Sequence, residues 1–419
     1  MKKKKILLLG DDIRVVSGVS IICRNLILRG ASEFEWVQLA AQTNNPDNNQ
    51  IIDVSDSVNK ITNCKDSYVR LYCSSGYGNQ EVVRRIINQE NIDCILHITD
   101  PRRWTWLYKM EHEIRKKIPL CYYHVWDNYP IPKYNKTFYD SCDFIGCISK
   151  LTYDCVGEVS PNVESKYIPH GVDTEVFNKI ENEISTKCKT NILPIGCDFL
   201  VFCNNANIPR KQLPLLIQSF ALFCDKIGKV KSKKTALMIH TNPTNNAGTN
   251  LLKLVDDLYK EYNILFSNSV VENTTLCQMY NTADVTINIS SNEGFGLSTA
   301  ESLSCGTPVI VNDTGGLSEQ VDDNNTWGIK IKPCYTNLIG SISSPYVNES
   351  LCSREDISDA IFAIYSKTSD ERNTMGIAGR EYIQKNYNIN QMCNNLYEGL
   401  NDTMSKFIPK EAFSFTKII

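Results

Sequence analysis

The sequence predicts an α/β protein made of two parallel-sheet domains in tandem. Three observations carry this. Short apolar, β-rich runs alternate with longer amphipathic ones, the pattern of parallel strands joined by helical crossovers. The alternation runs twice, with a polar, mixed-charge interval at about 178–198 between the two series. The length, 419 residues, fits about two to three domains at roughly 150 residues each.

In the first series strands are expected at 6–10, 36–41, 69–73, 94–98, 120–125, 144–148 and 167–168. Amphipathic runs at 19–29, 81–89 and 104–117 read as helices between them, and the Asn-rich stretch 44–50 as a loop. The second series predicts strands at 199–203, 236–240, 264–266, 285–289, 309–311 and 329–331, and helices at 213–227, 251–262, 297–304 and 356–365. From about 370 to 407 the chain reads as helical, with no further strand. Parallel sheets bind ligands beyond the carboxyl ends of their strands. The expected architecture is therefore two Rossmann-like domains, 1–180 and 195–387, facing each other across a cleft, with a helical C-terminal tail. Ligand binding is expected to close that cleft about the 178–198 segment.

Composition narrows the function. Lys and Arg total 44 against 47 Asp and Glu, a net charge of −3, without the basic excess of a nucleic-acid binder. Apolar content of 42% and charged content of 22% describe a globular chain. No run approaches the ~18 apolar residues of a spanning helix. Lys2, Lys3, Lys4 and Lys5 lead into only Ile6, Leu7, Leu8 and Leu9 before Gly10, Asp11 and Asp12. That is short of the about 7–15 apolar residues of a secretory signal, so it reads as a first strand with a lysine lead that solubilises the chain or touches anionic headgroups.

Seventeen cysteines include no C-x-x-C pair; the nearest two are Cys142 and Cys147, and Cys94 and Cys203 sit inside apolar runs. Buried free thiols behave as small hydrophobes, and an odd count without a signal points to a reducing, cytoplasmic compartment. The histidines at 97, 112, 124, 170 and 240 lack metal-ligand spacing, and there is no Asp-x-Asp, so neither a metal nor another cofactor is expected. Neither series contains G-x-G-x-x-G followed by an acidic residue at dinucleotide spacing, which disfavours a dehydrogenase.

The densest chemical signal runs from Asn288 to Val321. It reads as a strand, a loop with Gly294 and Gly296, a helix opening at Leu297, a Gly306-Thr307-Pro308 turn, a strand and a Gly315-Gly316 turn. The glycines let backbone N–H groups approach a ligand, and the helix start offers its positive end to a phosphate. Glu293 and Glu301 flank the loop, one placed for a sugar hydroxyl and one for a ribose diol. The bland alternative is a loop with two solvated glutamates.

This stretch strongly resembles the donor site of glycosyltransferase family 4, a retaining group with the GT-B fold. That family carries two glutamates separated by seven residues, as do Glu293 and Glu301, with Gly294, Phe295, Gly296 and Leu297 between them. The resemblance extends to Ala300-Glu301-Ser302-Leu303, to Gly306-Thr307-Pro308-Val309-Ile310 and to Gly315-Gly316. Further back, Ile168-Pro169-His170-Gly171-Val172-Asp173 looks like the segment closing the family's first domain, where Asn is commoner than His170. The resemblance implies that Glu293 contacts the transferred sugar, that Gly294, Phe295, Gly296 and Leu297 meet its hydroxyls and the β-phosphate through backbone, and that Glu301 holds the ribose.

A second site follows the strand at 199–203, in Asn204-Asn205-Ala206-Asn207-Ile208-Pro209-Arg210-Lys211. A basic pair there would neutralise a diphosphate leaving group. Family members resemble this with Arg, then Lys six residues later; Lys211 matches, but Asn205 stands at the Arg position. Either Arg210 supplies the charge or Asn205 and Asn207 hydrogen-bond the phosphates. In the first domain Gly18, after Ser17, resembles a family loop against the donor phosphates, with a plain helix cap as the equal alternative. His124 resembles a family histidine near the reacting centre, the alternative being a satisfied core histidine. His97, Asp100, Trp126 and Asp127 are candidates to line an acceptor pocket. For the aromatics Trp104, Trp106, Trp126, Tyr129 and Tyr134, core packing is the simpler reading.

The resemblance implies a C-terminal helix at about 388–419 that crosses back to the first domain, and a retaining, metal-independent transfer of a sugar from a nucleotide-diphosphate donor to an acceptor hydroxyl on a sugar, a lipid-linked glycan or a protein. Catalysis would rest on Glu293, Lys211 and His124. A leaving-phosphate oxygen would take the acceptor proton. A non-hydrolysing sugar-nucleotide epimerase and a non-catalytic sugar-nucleotide-binding scaffold are the alternatives. Peripheral membrane contact and oligomeric state stay open.

Overall fold

The computed structural model describes residues 2–411. The chain forms two compact units. The first comprises the chain up to Trp126, Ile131–His170 and the chain from Asn390 on; the second comprises Asp127–Pro130 and Gly171–Ile389.

The first unit holds strands β1 (Lys4–Asp11), β2 (Phe34–Gln42), β3 (Ile51–Asp53), β4 (Val69–Ser75), β5 (Cys94–Ile98), β6 (Leu120–His124), β7 (Phe144–Cys147) and β8 (Ser165–Tyr167). They form one sheet in the order β3-β4-β2-β1-β5-β6-β7-β8. Every neighbouring pair is parallel except β3 with β4. Ile6, Leu7, Leu8 and Leu9 are all fully buried, as a central strand covered on both faces requires. Helix Ile389–Lys406 packs here through Tyr397, whose hydroxyl donates to Leu26 O at 2.6 Å. Positions 412–419 of the expected C-terminal helix lie outside the described residues.

The second unit holds β9 (Phe199–Asn204), β10 (Thr235–His240), β11 (Ile264–Ser267), β12 (Val285–Asn288), β13 (Val309–Asn312) and β14 (Gly328–Ile331). All pair in parallel, in the order β11-β10-β9-β12-β13-β14. In both sheets the strand order reverses beside the first strand, between β1 and β5 and between β9 and β12. Loops leaving the two strands on either side of such a reversal diverge and open a crevice at their carboxyl ends.

Several elements depart from expectation. The 104–117 helix is broken into a 3-10 turn, Pro101–Trp104, and helices Thr105–Lys109 and Glu111–Ile114. Met110 N–H turns back to Leu107 O at 3.1 Å, closing the first helix. The polar interval contains helix Asn182–Ile192, anchored where Lys189 Nζ meets Asp284 Oδ2 at 2.5 Å and Ser185 Oγ donates to Asn281 O at 2.7 Å. An antiparallel hairpin, β15 (Tyr335–Ile339) and β16 (Val347–Leu351), was not expected; β15 is largely exposed, β16 is half-buried, and neither buries an apolar side chain. All 17 cysteines are free and most are buried.

Candidate functional site

The reversal point of the second sheet gathers the charged residues of two loops. β9 ends at Asn204, and the chain passes through the 3-10 turn Pro209–Lys211 into helix Leu213–Ile227. β12 ends at Asn288, and its loop runs to helix Leu297–Ser304. Asn288 shapes that loop by accepting from Ser290 N at 3.2 Å and Ser290 Oγ at 2.6 Å. Two hydrogen bonds then tie the loops together: Ser291 N donates to Arg210 O at 2.8 Å, and the Arg210 side chain donates through Nη1 to Asn292 O at 2.8 Å.

Glu293 is the focus. Its Oε2 accepts from Lys211 Nζ, from Arg210 Nη1 at 3.3 Å and from Ser290 Oγ at 3.4 Å. Its Oε1 has no partner among the described residues. Burial pushes the carboxyl up, but the Lys211 ammonium and Arg210 guanidinium outweigh it and hold it below its ordinary range. Arg210, not residue 205, is the second cation. Asn205 is buried, with Nδ2 directed at Cys203 Sγ, 3.7 Å away.

Asn207 departs from its expected phosphate role. Its amide donates to Thr249 O at 2.6 Å and Pro243 O at 3.3 Å and accepts from Thr249 N at 3.2 Å, so it fastens the 242–249 loop.

The glycine pattern serves close packing of backbone on backbone. Gly296 has φ +93, and a Cβ there would lie 2.4 Å from Leu317 Cδ2. Gly315 has φ +50, and its Cβ would meet Glu293 O at 2.2 Å and Asp127 O at 2.3 Å. Glu293 O also accepts from Gly316 N at 2.8 Å. Gly294 and Phe295 lie on this stretch; the Phe295 ring is buried edge-on against Tyr387, 5.3 Å between centroids, so its side chain is core. Gly296 caps the helix that opens at Leu297 without any side-chain bond, which leaves first-turn amides for an anion.

Glu301, one turn into that helix, is buried, and its Oε2 accepts from Tyr280 Oη at 2.7 Å. Burial raises its carboxyl to about 7, against the opposing Tyr280 bond. Tyr280, fully buried, also accepts from Asn204 Nδ2 at 2.9 Å.

The candidates of the first unit are differently placed. Ser17 caps helix Gly18–Arg29, accepting from Ser20 N at 3.0 Å and donating to Asp11 Oδ2 at 2.7 Å, so Gly18 is that helix's first residue. His124 and His97 are fully buried, and burial lowers each ring to about 3. His124 Nε2 pairs with the Tyr139 hydroxyl; His97 Nδ1 pairs with Tyr108 Oη at 2.9 Å, its ring stacked on Tyr122. Both are interior residues, which corrects the expectation of ligand-facing histidines at strand ends. Asp100 caps the 3-10 turn, taking Arg102 N at 2.9 Å and Arg102 Nε at 2.7 Å. Trp126 is buried under the Arg102 guanidinium, 4.8 Å from the ring centroid. Asp127, expected on the acceptor side, belongs to the second unit, where its carbonyl accepts from Glu293 N at 3.2 Å.

Three residues escaped the sequence reading. Tyr280 and Ser290 reach the two glutamates; Thr99, after β5, has φ +102, an uncommon conformation for a β-branched residue, with its Oγ1 taking Trp104 Nε1 at 2.8 Å. Ser290 was in view within the glutamate motif, but only the loop geometry turns it toward Glu293. Among the described residues no group of three or more His, Cys, Asp or Glu side chains is arranged to hold a metal.

A carboxylate held by two cations beside an open helix start, at the reversal of a parallel sheet, suits a protein that binds a phosphorylated sugar derivative. The fold agrees with that class: the chain has the α/β architecture of GT-B glycosyltransferases. Sucrose-phosphate synthase from Thermosynechococcus elongatus superposes with a TM-score of 0.73 at 16% identity, covering 96% of this chain and all of its own. Anabaena Alr3699/HepE, solved in complex with UDP and glucose, gives 0.70 at 13% identity, covering 95% of this chain and 100% of its own.

Residues 195–354, all within the second unit, match the family model of glycosyl transferases group 1. Among curated proteins, the D-inositol 3-phosphate glycosyltransferase of Acidothermus cellulolyticus is 28% identical over 165 residues, 38% of this chain and 36% of that protein. The enzyme of the same name from Thermomonospora curvata is 49% identical over 51 residues, 12% of each chain. The matched part thus spans little more than a third of these relatives at most.

Proposed function

We propose that the protein is a retaining, metal-independent glycosyltransferase that moves a hexosyl group from a nucleoside-diphosphate sugar to an acceptor hydroxyl. The single observation that carries this reading is the Lys211, Arg210 and Glu293 cluster beside the uncapped helix start at Leu297. Loss of a diphosphate builds negative charge on the leaving oxygens. Two cations and a helix start are the preorganised groups that stabilise it. Glu293, ionised at neutral pH with Oε1 open, is suited to a hydroxyl of the transferred sugar and to the positive charge developing at its anomeric carbon.

UDP-sugars are the donors to test first, since a neighbouring fold was solved with UDP-glucose. The acceptor hydroxyl, on a sugar, a lipid-linked glycan or a protein, attacks from the face the diphosphate leaves, and a leaving-phosphate oxygen takes its proton. Among the described residues no helix is long and apolar enough to cross a membrane. A cytoplasmic place, with the lysine lead available for anionic headgroups, suits the many buried free thiols.

Purified protein is screened by thermal shift against UDP-, GDP-, ADP- and dTDP-glucose, because a ligand of the native state stabilises it. The stabilising donor is then incubated with candidate acceptors and the product's anomeric configuration read by NMR. A product of retained configuration supports the reading. Epimerised donor, inverted product, or binding without turnover on any acceptor overturns it.

A further inference from the structure

The buried pair Tyr280 and Glu301 goes beyond anything the glutamate motif implies. Helix Asn273–Thr282 brings the Tyr280 hydroxyl to one oxygen of Glu301, 2.7 Å from Oε2, while Glu301 Oε1 has no partner among the described residues. Asn204, the last residue of β9, donates to the same hydroxyl at 2.9 Å, so the Tyr280 proton is directed at the carboxylate and not back at Asn204. The ring is fixed edge-on between Phe202 and Phe177, with centroids 5.4 and 6.1 Å away. An Asn–Tyr–Glu relay thus runs from the first strand of the sheet to the helix of the site.

Resting on the donor-site reading above, we propose that Tyr280 is a positioning residue: it holds Oε2 of Glu301 so that Oε1 meets the donor's ribose hydroxyls. Those hydroxyls are donors, so they need the ionised carboxylate, and the Tyr280 bond is what favours that form against burial. Donor affinity therefore falls as pH drops through the Glu301 value of about 7, and removing the Tyr280 hydroxyl moves that fall to higher pH. Other titratable groups pack around this helix, among them Lys179, lowered by burial. Cys305 at its end is pushed up by burial; Cys277 is drawn down to about 6 by the Cys305 thiol 3.8 Å away; Arg380 binds Ser304 O; His240, half-buried beside Asn204 on β10, is lowered by burial. Cys277 titrates close enough to pH 7 to mimic Glu301, and Cys277→Ser separates the two.

The experiment is calorimetric titration with UDP-, GDP-, ADP- and dTDP-glucose at pH 7 in buffers of different ionisation enthalpy, which counts protons released on binding. Wild type should release a fraction of a proton, because Glu301 is partly protonated at that pH. Tyr280→Phe should bind about tenfold more weakly and release more, approaching one proton, with kcat little changed. Asn204→Ala should move both readings the same way by less, and it carries the test if Tyr280→Phe fails to fold. Cys277→Ser should change neither. Glu301→Gln should bind weakly and release none. If Glu301→Gln weakens binding while Tyr280→Phe and Asn204→Ala match wild type in affinity and proton count, the role of Tyr280 is overturned and the donor-site reading stands. If Glu301→Gln also binds as wild type, or wild type binds none of the four sugars, the donor-site reading fails and takes this proposal with it.

Discussion

The two sheets reverse strand order at the same place, beside their first strand, and fill that place with opposite chemistry. At the β9–β12 reversal stand Lys211, Arg210, Glu293 and Glu301, charged or poised to be. At the β1–β5 reversal and the strand beyond it stand His97, Tyr108, Tyr122, His124 and Tyr139, an uncharged, fully packed aromatic layer. Topology supplies a crevice in both cases. Whether it becomes an anion site depends on the loops that leave it. In the second unit those loops carry cations and an uncapped helix. In the first unit the strand ends point back into the core, and Asp12 and Asp100 are each neutralised by a neighbouring arginine, Arg14 and Arg102.

Acid should break this symmetry most strongly. His97, His124 and His170 all belong to the first unit, and burial lowers each to about 3. Their unfolded value is near 6.5. Between those limits the unfolded chain binds a proton that the folded chain does not, so stability falls as pH falls, by a little over ~1 kcal/mol per pH unit per histidine. The loss begins near pH 6.5 and is complete only below about 3. Three such groups remove several kcal/mol by pH 5, a large part of the about 5–15 kcal/mol that holds a domain. Hydrogen exchange followed by mass spectrometry from pH 7 to 5 should show the first unit losing protection ahead of the second, whose His240 is only partly buried. Equal loss in both units would remove the distinction.

The charged site predicts the next largest effect. Glu293→Gln keeps shape but loses the charge that meets the developing positive centre, so kcat should fall about 10²-fold or more, ~2.7 kcal/mol. Lys211→Ala should match it, because diphosphate charge builds as the bond breaks and because the variant leaves Glu293 short of its nearest cation. Wild-type kcat in both variants would place the chemistry elsewhere. Glu301→Gln, acting on a ribose that does not react, should instead raise donor KM about ten- to a hundredfold with kcat little changed. A fall in kcat alone would reverse the assigned roles.

The same contrast explains what the sequence could reveal. The six parallel strands of the second unit were legible within a residue or two because strands buried on both faces are continuous apolar runs. The β15–β16 hairpin and helix Asn182–Ile192 were not, since elements that bury no apolar side chain leave no such trace. Glu293, Arg210 and Lys211 were legible as charges in loops after strands, and the structure brings them together across 82 residues of chain. His124 and Asn207 occupy similar positions and sit differently. His124 is the last residue of β6 yet wholly interior, and Asn207 faces a loop 42 residues on. Position after a strand marks the edge of a crevice, whereas side-chain direction depends on what packs against it. Tyr280 escaped because its partner, Glu301, is fixed by the packing of two helices and by no sequence spacing.

The smallest expected effect comes from removing metal. A diphosphate needs countercharge to leave, and it can come from a divalent cation or from the protein. The second unit already supplies Lys211, Arg210 and the first-turn amides at Leu297 at one reversal point. A divalent ion would compete with those cations for the same oxygens and repel them. Each carboxylate of the site also has one oxygen already taken: Glu293 Oε2 by the cations, Glu301 Oε2 by Tyr280. Turnover of the donor sugar in excess EDTA should therefore stay within about twofold of turnover with added Mg²⁺ or Mn²⁺. Activity that vanishes on chelation and returns with either ion would mean that Lys211 and Arg210 serve Glu293 alone, and the charged site would then have to be reassigned from catalysis to structure.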